Sequence, residues 1–263
     1  MDDLPKGLAD SGAVNIAMTI GTIDAGRVLD VGTGNGDFIA TLIEVLGEYS
    51  TFTGVDVNSE KLEEGRERFE GKPVDLIKMD GGDLSFEDGT FDTVCISNSL
   101  HHLEHVGDVL SEMVRVLRPG GHMVLQEMFS DGEQSPAQIT DCHQHHWSAK
   151  VETLFGTYHR ETYQRTEIRS FVEGFDLREA TFFETTRGIK CLTCEDRFRC
   201  EDPFDPEIVS TAIDEIEEDL ERLKDFPDRE TRDALVREGL AMEEMVRKTG
   251  VLPASTLFAI GRK

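Results

Sequence analysis

Residues 27–36, with the sequence RVLDVGTGNG, decide the fold. Residues 27–31 form a short apolar run, and the three glycines that follow allow a tight turn and close backbone approach to a ligand. A helical pattern begins directly afterwards, because apolar side chains recur on one face of residues 38–46. The stretch therefore predicts a strand, a glycine loop and a helix in immediate succession.

The alternation of strand and helix continues through the first half of the chain. The further predicted strands are 51–55, 74–79, 91–97 and 122–127, and the helices between them cover about 59–69 and 106–117. Such alternation predicts a parallel sheet with right-handed crossovers. Ligands of these sheets bind outside the carboxyl ends of the strands, at the switch point of the topology.

The glycine loop differs from the dinucleotide-binding fingerprint at one decisive position. That fingerprint needs a third glycine where this chain has Asp37, and a carboxylate there would occupy the place of a pyrophosphate. A ligand without phosphate is therefore favoured over NAD or FAD. Asp30 can accept from an ammonium group, Asp56 from two ribose hydroxyls and Asp80 from an adenine amine. An adenosine joined to an amino acid describes S-adenosylmethionine (SAM).

Several motifs occur together over roughly residues 20–130. The segment 28–36 resembles the first motif of class I SAM-dependent methyltransferases, and GVDV at 54–57 resembles their second-strand acidic motif. DGGDLSF at 80–86 is similar to the family's D-x-x-x-L-P-F segment, with Ser85 in place of proline. FDTV at 91–94, LHHL at 100–103 and EMVRVLRPGG at 112–121 complete the series in order.

The resemblance implies a set of SAM-binding residues, with the last acting through its backbone: Asp30, Gly32, Gly34, Gly36, Asp56, Val57, Asp80, Gly81 and Asn98. His101 and His102 follow the fourth strand and face the pocket in the expected fold, where either could orient an acceptor or take its proton. The family often has histidine here without a catalytic role, so both interpretations remain open. Other residues lie where the family commonly lines its acceptor pocket: His145, His146, Trp147, Tyr158 and His159.

The resemblance also implies two more strands, which fit residues 180–185 and 256–261, the last being antiparallel. Amphipathic patterns between them predict helices over 208–223 and about 229–248. The predicted fold is α/β, a doubly wound, mostly parallel seven-stranded sheet with an α-helical insertion between the last two strands. We assign residues 1–185 and 254–263 to a SAM-binding domain, and 186–253 to an insertion that is either a substrate lid or a stabilising appendage.

The five cysteines allow more than one role. Cys191, Cys194 and Cys200 have a C-x-x-C-x5-C spacing that can bind a tetrahedral metal, and His146 is a candidate fourth ligand if it shares a helix face with Cys142. Zinc or an iron–sulfur cluster would then join SAM as a cofactor. Alternatively, the thiols bind a thiophilic substrate, or they only pack. Cys95 lies inside the fourth strand and is predicted to be core.

The chain is strongly acidic, with 53 Asp and Glu against 27 Lys and Arg and a formal net charge of −26. Such a surface repels phosphate backbones and anionic membranes, so a small-molecule substrate is favoured over nucleic acid. The scarcity of lysine, nine residues, resembles proteins of high-salt cytosols. With no basic, apolar leader at the N-terminus and no apolar run long enough to span a bilayer, we expect a cytoplasmic protein.

The leading functional hypothesis is SAM-dependent methyl transfer to a small molecule. A second hypothesis is a methyltransferase for a metalloid or thiol acceptor held by the cysteines. A third is a SAM- or metal-responsive binding protein without turnover. The sequence leaves the acceptor atom and the oligomeric state open.

Overall fold

Seven strands and eight α-helices lie in the part of the chain that the computed structural model describes, residues 13–175, 177–185 and 202–263. The strands are β1 (Arg27–Val31), β2 (Thr51–Asp56), β3 (Val74–Lys78), β4 (Phe91–Ser97), β5 (Leu117–Met128), β6 (Arg178–Thr185) and β7 (Thr256–Arg262). The helices are α1 (Ala13–Gly21), α2 (Asp37–Val45), α3 (Ser59–Arg68), α4 (Val106–Val116), α5 (Pro136–Leu154), α6 (Arg165–Glu173), α7 (Pro206–Leu223) and α8 (Arg229–Thr249).

One sheet contains all seven strands, in the order β3-β2-β1-β4-β5-β7-β6. Strands β1 to β5 pair in parallel, whereas β7 runs antiparallel between β5 and β6. The predicted fold class is therefore confirmed, including the antiparallel last strand. Strand β1 has β2 on one side and β4 on the other, so the chain changes direction across the sheet at this point and leaves a crevice above β1.

Both faces of the central strands are buried, which explains their nearly continuous apolar sequences. Successive residues of β1 enter different apolar clusters: Leu29 packs with the face that α4 covers, and Val28 packs with the face that α2 covers. In β4, Val94 and Cys95 divide in the same way. Cys95 is fully buried, as predicted.

Strand β5 begins earlier than the apolar pattern indicates. Leu117 leaves α4 and pairs at once with Phe91, so the Pro119-Gly120-Gly121 segment lies within the strand as an irregularity in register. Helices α1, α5 and α6 are additional to those predicted. Helix α5 begins at a capping box, since Ser135 Oγ accepts from the Gln138 amide and the Gln138 side chain accepts from the Ser135 amide.

Helices α7 and α8 form the predicted hairpin, and α5 packs against both. Trp147 of α5 lies at their shared apolar cluster, and its indole nitrogen donates to the Leu235 carbonyl of α8 at 3.0 Å. Gly239 gives α8 room to approach the Trp147 ring. The hairpin therefore belongs to a three-helix layer with α5, which we had assigned to the SAM-binding domain. Across the described residues, none of the helices has the length and apolarity to cross a membrane.

Candidate active site

The glycine loop after β1 is held by the end of β2. The amides of Gly32 and Thr33 donate to the Val55 carbonyl at 2.9 and 3.0 Å. Gly32 has φ of 68°, and a Cβ there would lie 2.7 Å from Ser99 Oγ. A side chain at this position would thus be strained and would collide with the segment after β4. The missing side chain consequently lets Ser99 pack against the loop, where its hydroxyl donates to the Gly32 carbonyl at 3.0 Å.

Two carboxylates follow β2 and β3 at the same edge. Asp56 accepts from the Gly34 and Asn58 amides, each at 2.8 Å, and so fixes the loop as well as its own orientation. Asp80 is exposed and accepts from the Gly82 amide at 2.9 Å. The Val57 side chain, 63% exposed, adds apolar surface beside Asp56. The edge therefore places two carboxylates and an apolar side chain beside the glycine loop.

Asp30 has an unpaired buried oxygen. Its Oδ2 accepts from Thr33 Oγ1 at 2.7 Å, but its Oδ1 is buried without a partner. Burial raises the pKa of Asp30 to about 7, the Thr33 bond opposes the shift and nearby Asp56 adds to it. A buried acceptor of this kind fits a ligand with a positive charge or a donor group. The amino-acid end of SAM supplies such a group, so the residues present fit this cofactor.

The turn after β4 completes the crevice. Asn98 has φ of 44°, unusual for a residue with a side chain, and its Oδ1 accepts from Gln126 Nε2 at 2.9 Å. This bond ties the ends of β4 and β5 together. Gly81 lies opposite, where a Cβ would be 2.7 Å from Val31 Cγ1. Both residues therefore shape the backbone around the space above β1.

A cavity of about 500 Å³ lies between this sheet edge and the helical layer. Asn98 lines it from the sheet, and Lys61 from α3. The Lys61 side chain also passes 3.7 Å from where a Cβ on Gly34 would lie, so the cavity adjoins the glycine loop. Two cationic side chains line the cavity, Lys61 and Arg222. Five acidic side chains line it as well: Asp141, Glu152, Glu215, Glu218 and Asp219. The cavity therefore disfavours an anionic ligand.

Four imidazole rings meet at the wall of this cavity. His101 and His102 form a single 3-10 turn after β4, His145 comes from α5, and His159 from the connection between α5 and α6. The ring centroids of His101 and His145 are 4.7 Å apart, and those of His102 and His159 are 4.1 Å apart. His101 is 3% exposed, whereas His102, His145 and His159 line the cavity.

Two carboxylates fix two of these rings. Glu127, fully buried at the end of β5, accepts from His101 Nδ1 at 2.8 Å and from the Leu100 amide at 2.8 Å. Glu152 lies 2.9 Å from His159 Nδ1. The two Nε2 atoms of His159 and His145 are 3.1 Å apart. Burial, and then the neighbouring rings of His101 and His159, lower the pKa of His145 to about 2, so that imidazole is neutral.

The sequence of this chain is similar to those of known methyltransferases. Residues 29–125 match the family model described as a methyltransferase domain. A ubiquinone/menaquinone biosynthesis C-methyltransferase of Desulfotalea psychrophila is 40% identical over 100 residues, 38% of this chain and 40% of that protein. A demethylmenaquinone methyltransferase of Bacillus cereus is 36% identical over 104 residues, 38% and 44% of the two chains. The matched segments thus span less than half of either relative.

The fold has close structural counterparts at low sequence identity. Phosphoethanolamine N-methyltransferase 2 of Haemonchus contortus, in complex with SAM, superposes with a TM-score of 0.56 at 18% identity, covering 95% of this chain and 52% of that one. A putative sarcosine dimethylglycine methyltransferase of Galdieria sulphuraria gives 0.53 at 17%, covering 96% and 83%. Over residues 29–125 this chain is thus similar to class I SAM-dependent methyltransferases, and its sheet has their fold.

Within this segment, all predicted SAM-binding residues lie at the carboxyl ends of β1 to β4 or in the turns that follow. The two histidines predicted as catalytic differ in position, since only His102 lines the cavity. Glu127 was missed, although a lone acidic residue at the end of an apolar strand is a usable signal. The sequence does not indicate that His145 and His159 lie next to His101, because the three residues belong to three separate segments of the chain.

The predicted metal ligands are only partly described. Cys191, Cys194 and Cys200 lie outside the described residues. His146 Nε2 is 2.7 Å from Thr162 Oγ1, and its ring centroid is 6.4 Å from that of His145. Cys142 is buried, with its Sγ 4.0 Å from the Phe129 carbonyl oxygen. A cysteine-based metal site in this protein therefore stays a prediction.

Proposed function

We propose that this protein transfers the methyl group of SAM to a small-molecule acceptor bound in the cavity. The observation behind this proposal is that Asn98 and Lys61 belong to both regions. Lys61 lies beside the glycine loop, and Asn98 directly follows β4. Both residues also line the cavity. An acceptor in the cavity would therefore lie next to the donor crevice above β1.

The chemistry demands little beyond alignment, because the sulfonium methyl of SAM is already activated. The crevice would fix the donor through Asp30, Asp56 and Asp80, and the helical layer would exclude water from the acceptor. His102, which reaches the cavity, is the better placed of the two predicted catalytic histidines to contact the acceptor. His101 would act indirectly, because it is buried and held by Glu127.

The charge of the cavity limits the acceptor class. Its five lining carboxylates favour a neutral or cationic molecule over a phosphorylated one. The curated relatives are named as methyltransferases of quinone biosynthesis, so neutral hydroquinones are reasonable first acceptors. Small amines are the second class that the charge favours.

Release of S-adenosylhomocysteine and of radiolabelled product tests the proposal, with hydroquinone, amine and phosphorylated acceptors compared in parallel. Turnover with either of the first two classes is expected. SAM binding without turnover across the whole panel, or a clear preference for phosphorylated acceptors, would contradict it.

The other two hypotheses stay predictions. A metalloid or thiol acceptor would depend on Cys191, Cys194 and Cys200, which lie outside the described residues. A binding protein without turnover is distinguished by the same product assay. We also retain a cytoplasmic location as a proposal, together with the absence of a nucleic-acid or membrane partner, which follows from the charge of the chain.

A further inference from the structure

We propose that His101, His145 and His159 bind a divalent transition-metal ion of the zinc type at the wall of the cavity. One ring nitrogen from each residue lies within 4.8 Å of the other two. Zinc–nitrogen bonds of about 2.0–2.1 Å place the nitrogens of a tetrahedral site about 3.4 Å apart. The Nε2 atoms of His145 and His159, 3.1 Å apart, already have nearly this spacing.

The carboxylates around the cluster match the surroundings of a metal-binding histidine. Such a histidine donates its second N–H to a carboxylate, which fixes the ring and leaves the other nitrogen free for the metal. Glu127 is placed to accept from His101 Nδ1, and Glu152 from His159 Nδ1. The Nε2 atom of His159 is thereby directed at His145, and Nε2 is the nitrogen that His101 has left for an ion. A chance grouping of histidines does not require carboxylates on their outer nitrogens, and here Glu127 is fully buried and Glu152 partly buried.

The open position of this site would face the cavity. Three imidazoles leave the fourth position of a tetrahedral ion free, as in catalytic rather than structural zinc sites. His145 and His159 line the cavity, whereas His101 lies behind them. An acceptor with an oxygen, nitrogen or sulfur donor atom could therefore coordinate the ion. An all-imidazole set suits zinc, copper, nickel or iron better than calcium or magnesium.

A neighbouring group, His102, Glu152 and His159, also has ligand atoms within 4.8 Å of one another. We favour the three-histidine set because it leaves Glu152 in its position on His159 Nδ1, whereas the other set would use Glu152 itself as a ligand. The simpler alternative to a metal is an N–H···N hydrogen bond between His145 and His159. That bond accounts for the 3.1 Å distance without any ion.

Metal binding is best measured in a Cys191→Ser/Cys194→Ser/Cys200→Ser background, so that any ion bound belongs to the histidines. The protein is treated with chelator and then titrated calorimetrically with Zn²⁺. We expect one ion per chain, at least 100-fold weaker binding in His145→Ala, and unchanged binding in His143→Ala. His143 is an exposed histidine two residues earlier on the same helix, which makes it a matched control.

Two further measurements separate loss of the site from loss of folding. Glu152→Gln should weaken Zn²⁺ binding about 10- to 100-fold, while unfolding in chelator should remain cooperative in every variant. Co²⁺ should give the visible absorption of a four-coordinate ion without a thiolate charge-transfer band. Equal Zn²⁺ affinity in the background protein and in His145→Ala, or no stoichiometric binding in the background protein, would overturn the proposal.

Discussion

Asp30 is a buried carboxyl group whose ionisation couples stability to pH. Its pKa rises from an ordinary 3.8 to about 7 in the folded protein, chiefly because of burial. The folded state therefore binds the proton more tightly than the unfolded chain does. The resulting stability is fully present below pH 3.8 and is lost as the pH rises through 7.

Asp30→Asn should remove this dependence, because asparagine is neutral at every pH. Without SAM, the variant should be more stable than the parent at pH 8, on the order of 2–4 kcal/mol since each tenfold change in proton affinity is worth about 1.36 kcal/mol. The difference should shrink toward zero near pH 4. Urea unfolding of both proteins across this pH range measures the difference in stability. A difference that stays constant from pH 4 to pH 8 would contradict the raised pKa of Asp30.

Asp56→Ala should weaken SAM binding by about 1–3 kcal/mol, because charge-assisted bonds to the ribose would be lost. The substitution also releases the amides of Gly34 and Asn58, so the loop loses part of its support. Calorimetric titration with SAM measures the effect. Asp75→Ala, an exposed aspartate on β3, is the control and should bind as the parent does. Equal SAM affinity in both variants would exclude the ribose role.

At the scale of the element, the helical layer depends on one close contact. A Cβ on Gly239 of α8 would lie 2.4 Å from Trp147 Cζ2 and 2.8 Å from Leu220 Cδ2. Gly239→Ala should therefore destabilise the protein by about 1–3 kcal/mol through overpacking, even though alanine favours helices. Thermal unfolding measures the change.

Gly107→Ala in α4 is the matched control, since nothing lies within 4 Å of its Cβ position. This variant should be neutral or stabilised by up to about 1 kcal/mol. Stabilisation of Gly239→Ala by the same amount would show that α8 does not press on Trp147.

Elements with a clear period or cap were predictable from sequence. The strand and helix alternation predicted β1 to β4, and α3 begins at a residue type that favours helix starts, since the Asn58 side chain accepts from the Glu60 and Lys61 amides. Helix α5 was not predicted as an element, because its apolar residues form no clear stripe. Its polar residues Asp141, His145 and Glu152 line the cavity, whereas Trp147 and Val151 belong to the apolar cluster of the helical layer. Such a helix is stabilised by tertiary contacts, which the spacing of apolar residues in the sequence does not reveal.

At the scale of the whole molecule, a formal net charge of −26 makes the exposed carboxylates repel one another. Salt screens repulsion between exposed carboxylates over about 10 Å at 0.1 M and less at higher concentration. We therefore expect the unfolding temperature to rise with KCl concentration and secondary structure to decrease in dilute buffer. Circular dichroism from dilute buffer to molar KCl measures both. Full stability without salt would show that the fold tolerates its charge unaided.

The matched family segment ends at residue 125, and α5, the first helix of the layer over the cavity, begins at Pro136. Under the proposed function, the donor is therefore handled almost entirely by the chain before this boundary, and the acceptor largely by the chain after it. With such a division, the acceptor-binding part can change by mutation while the donor-binding part stays the same. A family-model match that ends before the helical layer is then what divergence in acceptor choice would leave behind.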